Sequence, residues 1–146
     1  MGRKSESGYL YIGCRASSDE ASRIWDEVGG ARLAHVVPEP HVTLDFLPRV
    51  AYEESFGSAV VWDAVGYAND GRNEGLLVEP AWAESRLWPA LRLRARHHMT
   101  LSLAEGAAAK DTAKLSFAPL EPFRITSTYG ASTYDGSWCE NEIGSL

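Results

Sequence analysis

The sequence predicts one compact domain that mixes strands and helices, and three observations predict it. Short runs alternate apolar and polar residues with a period of two, as strands with one buried face do. Ser17-Ser-Asp-Glu20 precedes apolar residues at helical spacing and reads as a capping box. Asn69-Asp-Gly-Arg-Asn73 separates two strand-like runs and is rich in residues that tolerate turn backbone angles. At 146 residues the chain can bury one core and not two, so residues 1–146 are read as a single domain with its core over about 8–130.

The elements follow in order. Gly8-Tyr-Leu-Tyr-Ile-Gly-Cys14 is the first strand, with Leu10, Ile12 and Cys14 on one face and Tyr9 and Tyr11 on the other. The capping box then opens a helix through Ile24, Trp25 and Val28 that Gly29-Gly30 stops. After Pro38 and Pro40 comes His41-Val-Thr-Leu-Asp-Phe46, where His41, Thr43 and Asp45 alternate with Val42, Leu44 and Phe46. Ser58–Tyr67 and Glu74–Val78 form a hairpin that Pro80 ends. Ala81–Trp88 has helical content up to Pro89, and His98-Met-Thr-Leu-Ser-Leu103 returns to a strand, setting His98, Thr100 and Ser102 against Met99, Leu101 and Leu103. Ala107–Leu115 reads as helical, Phe123–Tyr129 as the last strand, and the tail from Asp135 as loosely held.

Composition narrows the function. Hydrophobic residues at 45% and charged residues at 23% are those of a soluble globular domain. No apolar run is long enough to span a bilayer and no signal-peptide pattern is seen, so a cytoplasmic protein without a membrane partner is expected. Cys14 and Cys139 are isolated and are expected to be reduced thiols. A net charge of −6 opposes binding to long nucleic acids, whose affinity depends on neutralising many phosphates, but leaves room for a small phosphorylated ligand. Arg86, Arg92, Arg94 and Arg96 precede the second histidine strand and are placed to form a basic rim beside it, or a solvated face.

The chemistry lies in the repetition of His41-Val-Thr-Leu44 as His98-Met-Thr-Leu101. A period of two turns His and Thr to the same side of each strand while the intervening residue enters the core. Two imidazoles and two hydroxyls would then converge on one groove. In-line displacement at phosphorus needs one group to take the nucleophile's proton and another to protonate the leaving oxygen, and histidine suits both tasks near neutral pH. Hydroxyl donors steady the non-bridging oxygens as their charge grows.

On these two motifs the chain resembles the 2H phosphoesterase superfamily, named for paired His-x-Ser/Thr-x motifs, and the order of strands and helices extends the resemblance over most of residues 8–129. The resemblance implies an α+β fold with two pseudo-symmetric lobes, antiparallel sheets lining a central cleft and helices outside. It implies metal-independent cleavage of cyclic phosphates or 2′-5′ linkages. The larger members that it resembles are RNA 2′,3′-cyclic phosphodiesterases, and its compact size is similar to that of phage proteins that degrade cyclic oligonucleotide signals of bacterial immunity.

The expected catalytic residues are therefore His41, His98, Thr43 and Thr100, with His98 as base and His41 as acid, although pseudo-symmetry allows either order. Tyr9 and Tyr11 are candidate substrate-binding residues, since an aromatic ring on the non-core face can stack on a nucleobase. Trp62, Tyr67 and Tyr129 have no fixed orientation in the sequence. His97 is out of phase and is read as structural, and His35 belongs to no pattern. No metal site or cofactor is expected, because no histidine or cysteine spacing supplies a ligand set and no glycine-rich phosphate loop occurs. Two other readings remain open at this level: a nucleotide-binding module without chemistry, and a structural or virion-associated protein.

Overall fold

In the computed structural model, which describes residues 5–141, Ile12 and Cys14 of β1 (Tyr11–Arg15) are fully buried, as the first alternation predicts. α1 (Ser18–Val28) begins where Ser17 accepts a hydrogen bond from the Glu20 amide and ends at Gly29, whose left-handed backbone lets its N–H return to the Trp25 carbonyl. The reciprocal half of the capping box is absent. The Glu20 carboxylate instead holds Arg23 and the Thr126 amide, which ties the helix to a neighbouring strand.

The remaining strands are β2 (His35–Val36), β3 (His41–Phe46), β4 (Ala59–Asn69), β5 (Asn73–Trp82), β6 (His97–Leu103), β7 (Ala118–Ser132) and β8 (Trp138–Cys139). All pair antiparallel in one sheet of order β2-β6-β5-β4-β7-β1-β3, with β8 added beside β7. The protein is thus mixed α/β, mostly sheet with few helices. Where the resemblance implied sheets in two lobes, the described strands form a single continuous sheet. Its curvature positions the site: β3 and β6 lie far apart in the hydrogen-bonded order, yet they come into contact.

Each motif strand is anchored from behind. Val42, Leu44, Met99 and Leu101 are almost fully excluded from water, and each such side chain contributes about 1.5–3 kcal/mol relative to exposure. Trp62 in β4 is also fully buried; its indole N–H donates to the Ser127 hydroxyl at 2.9 Å, which in turn donates to the Val60 carbonyl at 2.8 Å. Tyr129 is likewise a core residue.

Several expectations are corrected. Pro80 does not end its strand: β5 loses its β6 partner after Val78, so a residue without an N–H interrupts no ladder on that side, and the strand continues to Trp82. Ala81–Trp88 is not a helix but the end of β5, a 3-10 turn (Ser85–Leu87) and the start of α2 (Trp88–Leu91). Pro89 opens α2 rather than stopping a helix, because the first turn has no amide acceptor to lose there. The helical content expected over Ala107–Leu115 is a 3-10 segment, Ala109–Lys114. The tail is held through Cys139, where Trp138 and Cys139 pair with Ser132 and Ala131, and residues 142–146 of that expectation lie outside the described residues. Both cysteines are free, Cys14 buried and Cys139 partly so. Among the described residues no helix is long and apolar enough to cross a membrane.

Candidate active site

The two motif strands are built alike in a detail that periodicity does not contain. In β3 the ladder to β1 pairs His41 with Arg15, Val42 with Cys14 and Thr43 with Gly13, then skips Leu44 and resumes at Asp45 opposite Ile12. In β6 the ladder to β5 pairs His98 with Leu77, Met99 with Leu76 and Thr100 with Gly75, then skips Leu101 and resumes at Ser102 opposite Glu74. Each motif threonine thus faces a glycine, and each is followed by a bulged leucine. The glycines are required by close approach: a Cβ on Gly13 would lie 2.5 Å from the Val42 carbonyl oxygen, and one on Gly75 would lie 2.7 Å from that of Met99.

A bulge resets which way later side chains point, and this overturns two face assignments. Phe46, expected on the core side, pairs with Tyr11 and stands 56% exposed beside His41 and Thr43. Ser102, expected beside Thr100, turns inward with Glu74, donates to its carboxylate at 2.6 Å and is fully buried. Asp45, now opposite Ile12, does not join the histidines.

His41, Thr43, His98 and Thr100 line one cavity of about 400 Å³. Its other walls are Val37, Phe46, Arg94, Lys110 and the alanines 109 and 113. Among the described residues no carboxylate lines it. Arg94 comes from the arginine-rich segment that the sequence singled out; of the others, Arg86 binds Glu84, Arg92 lies over Trp88 and Arg96 over Phe117. Lys110 was not foreseen, since nothing in the sequence shows that the 3-10 segment returns to β6. The Thr100 hydroxyl donates to Thr112 Oγ1 at 2.8 Å, and Asn73 donates to the same oxygen at 3.0 Å and to the Ala108 carbonyl at 2.8 Å. This network fixes Ala109–Lys114, and Lys110 with it, against the cavity.

The two candidate tyrosines part company. Tyr11 stacks on His41, with ring centroids 4.9 Å apart and planes 17° apart, and Trp138 lies 6.3 Å from its ring. One face of Tyr11 is therefore spent on the imidazole, so its place is behind His41 rather than under a base. Tyr9 precedes the regular strand. It packs edge-on against Phe56, donates to Glu53 at 2.8 Å and is absent from the cavity wall.

Electrostatics separate the two histidines. Burial, then the charge on His98, then that on Arg15, push His41 down from 6.5 to about 4. Burial also lowers His98, helped by Arg94, His97 and Arg96. His97 is buried against Trp62, bonds the Leu91 backbone and leaves Nε2 without a partner, as a structural residue. His35 lies on the surface with Glu105 at 2.5 Å. Among the described residues no three His, Cys, Asp or Glu side chains converge as a metal-ligand set.

No protein-family model matches the chain, and no curated protein matches it in sequence. The reading of the site therefore rests on its geometry.

Proposed function

We propose that the protein hydrolyses a cyclic or 2′-5′ nucleotide phosphodiester, with His41 and His98 as the acid-base pair and Thr43 and Thr100 as donors to the non-bridging oxygens. One observation carries this reading: both His-x-Thr pairs line a single cavity that also holds Arg94 and Lys110 and, among the described residues, has no carboxylate in its wall. A volume near 400 Å³ lies within the ordinary range of small-molecule sites. The matched registers of β3 and β6 support reading them as pseudo-symmetric halves of a 2H phosphoesterase-like fold.

In this mechanism neutral His41 takes a proton from water as its oxygen bonds to phosphorus. Protonated His98 gives its proton to the leaving oxygen as the P–O bond breaks, and the hydroxyl of Thr43 and that of Thr100, once turned from Thr112 Oγ1 to the phosphate, stabilise the charge on the phosphoryl oxygens with Arg94 and Lys110. This order reverses the working assignment of the sequence, because burial pushes His41 down to about 4 and so keeps it neutral and able to accept a proton. The entering anion raises both histidines, which supplies the proton that burial alone would withhold.

A second reading has one observation in its favour. Both imidazoles are held below their ordinary value, which disfavours the protonated partner that general-acid catalysis needs. A chromatographic screen of 2′,3′-cyclic mononucleotides, 2′-5′ oligoadenylate and cyclic dinucleotides separates the two. Cleavage of any of them supports the enzyme, and binding without product across the panel supports a nucleotide-binding module.

A further inference from the structure

His98 has a cavity on each side. Beyond the histidine cavity, and sharing His98, Arg94 and Ala113 with it, lies a second hollow of about 200 Å³ whose wall adds Arg96, His97, Phe117 and Leu77. Arg94 thus stands in the wall of both. The guanidinium of Arg96 lies over the ring of Phe117 at 5.9 Å, a contact that leaves its charge in place.

The charge balance here is unlike that of the rest of the molecule. The chain carries 20 acidic residues against 14 lysines and arginines, yet among the described residues no aspartate or glutamate lines either hollow. Arg15, Arg23, Arg86 and Arg124 each have a carboxylate within 4.0 Å, whereas neither Arg94 nor Arg96 is ion-paired among the described residues. Two guanidinium groups in the wall of one hollow, neither ion-paired among the described residues, favour an anion there. A guanidinium fork matches phosphoryl oxygens in both geometry and charge. The scissile group already has the histidines, the threonines and Lys110, so the second hollow is not needed for it.

We propose that the Arg94–Arg96 hollow is a second phosphoryl subsite, and that the substrate carries at least one phosphoryl group besides the one cleaved. This rests on the phosphodiesterase reading of the histidine cavity and narrows it, from any nucleotide diester to one bearing a further phosphate one residue or less away. Arg94 reaches both groups, Arg96 only the second.

Matched probes differing by one phosphate test this on the full chain. Calorimetry would compare adenosine 2′-monophosphate with adenosine 2′,5′-bisphosphate, and turnover would compare adenosine 2′,3′-cyclic phosphate with its 5′-phosphorylated form. The second phosphate is expected to improve Kd and KM roughly tenfold to a hundredfold, as charge-assisted hydrogen bonds do. Arg96→Gln should erase that advantage in Kd while leaving the Kd of adenosine 2′-monophosphate within about twofold, and Arg94→Gln should weaken binding of both classes. Equal behaviour of the paired probes, or an Arg96→Gln effect of the same size on both, would overturn the subsite and leave the histidine cavity as it stands. A wild-type chain that neither binds nor cleaves any of the four probes would overturn the reading of the cavity and the subsite with it.

Discussion

Tyr11 lies face to face with His41, centroids 4.9 Å apart, and so occupies one side of the imidazole that the neighbouring cavity leaves open on the other. Burial holds the phenol above its ordinary pKa, against the opposing effect of its hydrogen bond with Ser132, so the ring is neutral and acts by contact. An imidazole that must take a proton along one direction benefits from a wall that fixes its plane, because small misplacements of a reacting group are costly.

Removing that wall should therefore affect turnover more than binding. Tyr11→Leu is expected to lower kcat about tenfold, within the range of lost positioning, with little change in KM. Tyr11→Phe keeps the stack and should stay within about threefold. Steady-state kinetics on any cleaved member of the substrate panel would check this, and a change confined to KM would show that Tyr11 contacts substrate instead.

Phe46 is the aromatic that the bulge at Leu44 delivers to the cavity. If it carries the base, Phe46→Ala should raise KM by roughly 5- to 150-fold, corresponding to the about 1–3 kcal/mol of a stacked base, with kcat largely kept, and Phe46→Trp should restore binding. Equal KM for Phe46→Ala and wild type would place the base elsewhere.

The paired glycines make a prediction about folding. Gly13→Ala would set a Cβ 2.5 Å from the Val42 carbonyl oxygen, and Gly75→Ala one 2.7 Å from the Met99 carbonyl oxygen. Both contacts require displacement of a motif strand. Each substitution is expected to cost about 1–3 kcal/mol, as overpacking does, seen as a fall in Tm of roughly 3–10 °C. Thermal melts unchanged in both variants would show that the close approach of these strands is not required.

Stability should respond to acid through His41. Its folded-state pKa of about 4 lies below its ordinary 6.5, so between those values the unfolded chain binds more protons than the folded one. The His41 contribution is fully present above about pH 6.5, is lost progressively as pH falls toward 4, and changes no further below that. His41→Gln should therefore flatten the decline in denaturation midpoint between pH 7 and 4.5 relative to wild type. Parallel declines in the two proteins would contradict the shift.

The sequence announced the site more clearly than the fold around it. His41, Thr43, His98 and Thr100 were legible because a period of two acts within a strand, and the apolar partners Val42 and Met99 mark the opposite face without outside information. Phe46 and Ser102 were misassigned because a bulge is a property of two strands together: the residue that is skipped depends on which glycine lies opposite, and Gly13 and Gly75 say nothing of this on their own. Pro80 and Pro89 misled for a similar reason, since what a missing N–H does depends on whether a partner was present to accept it. Lys110 and the Arg94–Arg96 hollow depend on how Ala109–Lys114 folds back on β6, through Asn73 and Thr112, which no local pattern specifies.

The account's central claim is that His41 and His98 exchange protons with a bound phosphodiester. The most direct test is turnover of the best substrate in the panel by wild type, His41→Ala, His98→Ala and the double variant, each assayed with and without EDTA. Each single replacement should cost at least about a hundredfold, the double variant should be little worse than either because the two act as a unit, and chelation should leave wild-type activity unchanged. Near-normal turnover in both single variants, or activity lost to EDTA and restored by a divalent ion, would contradict it.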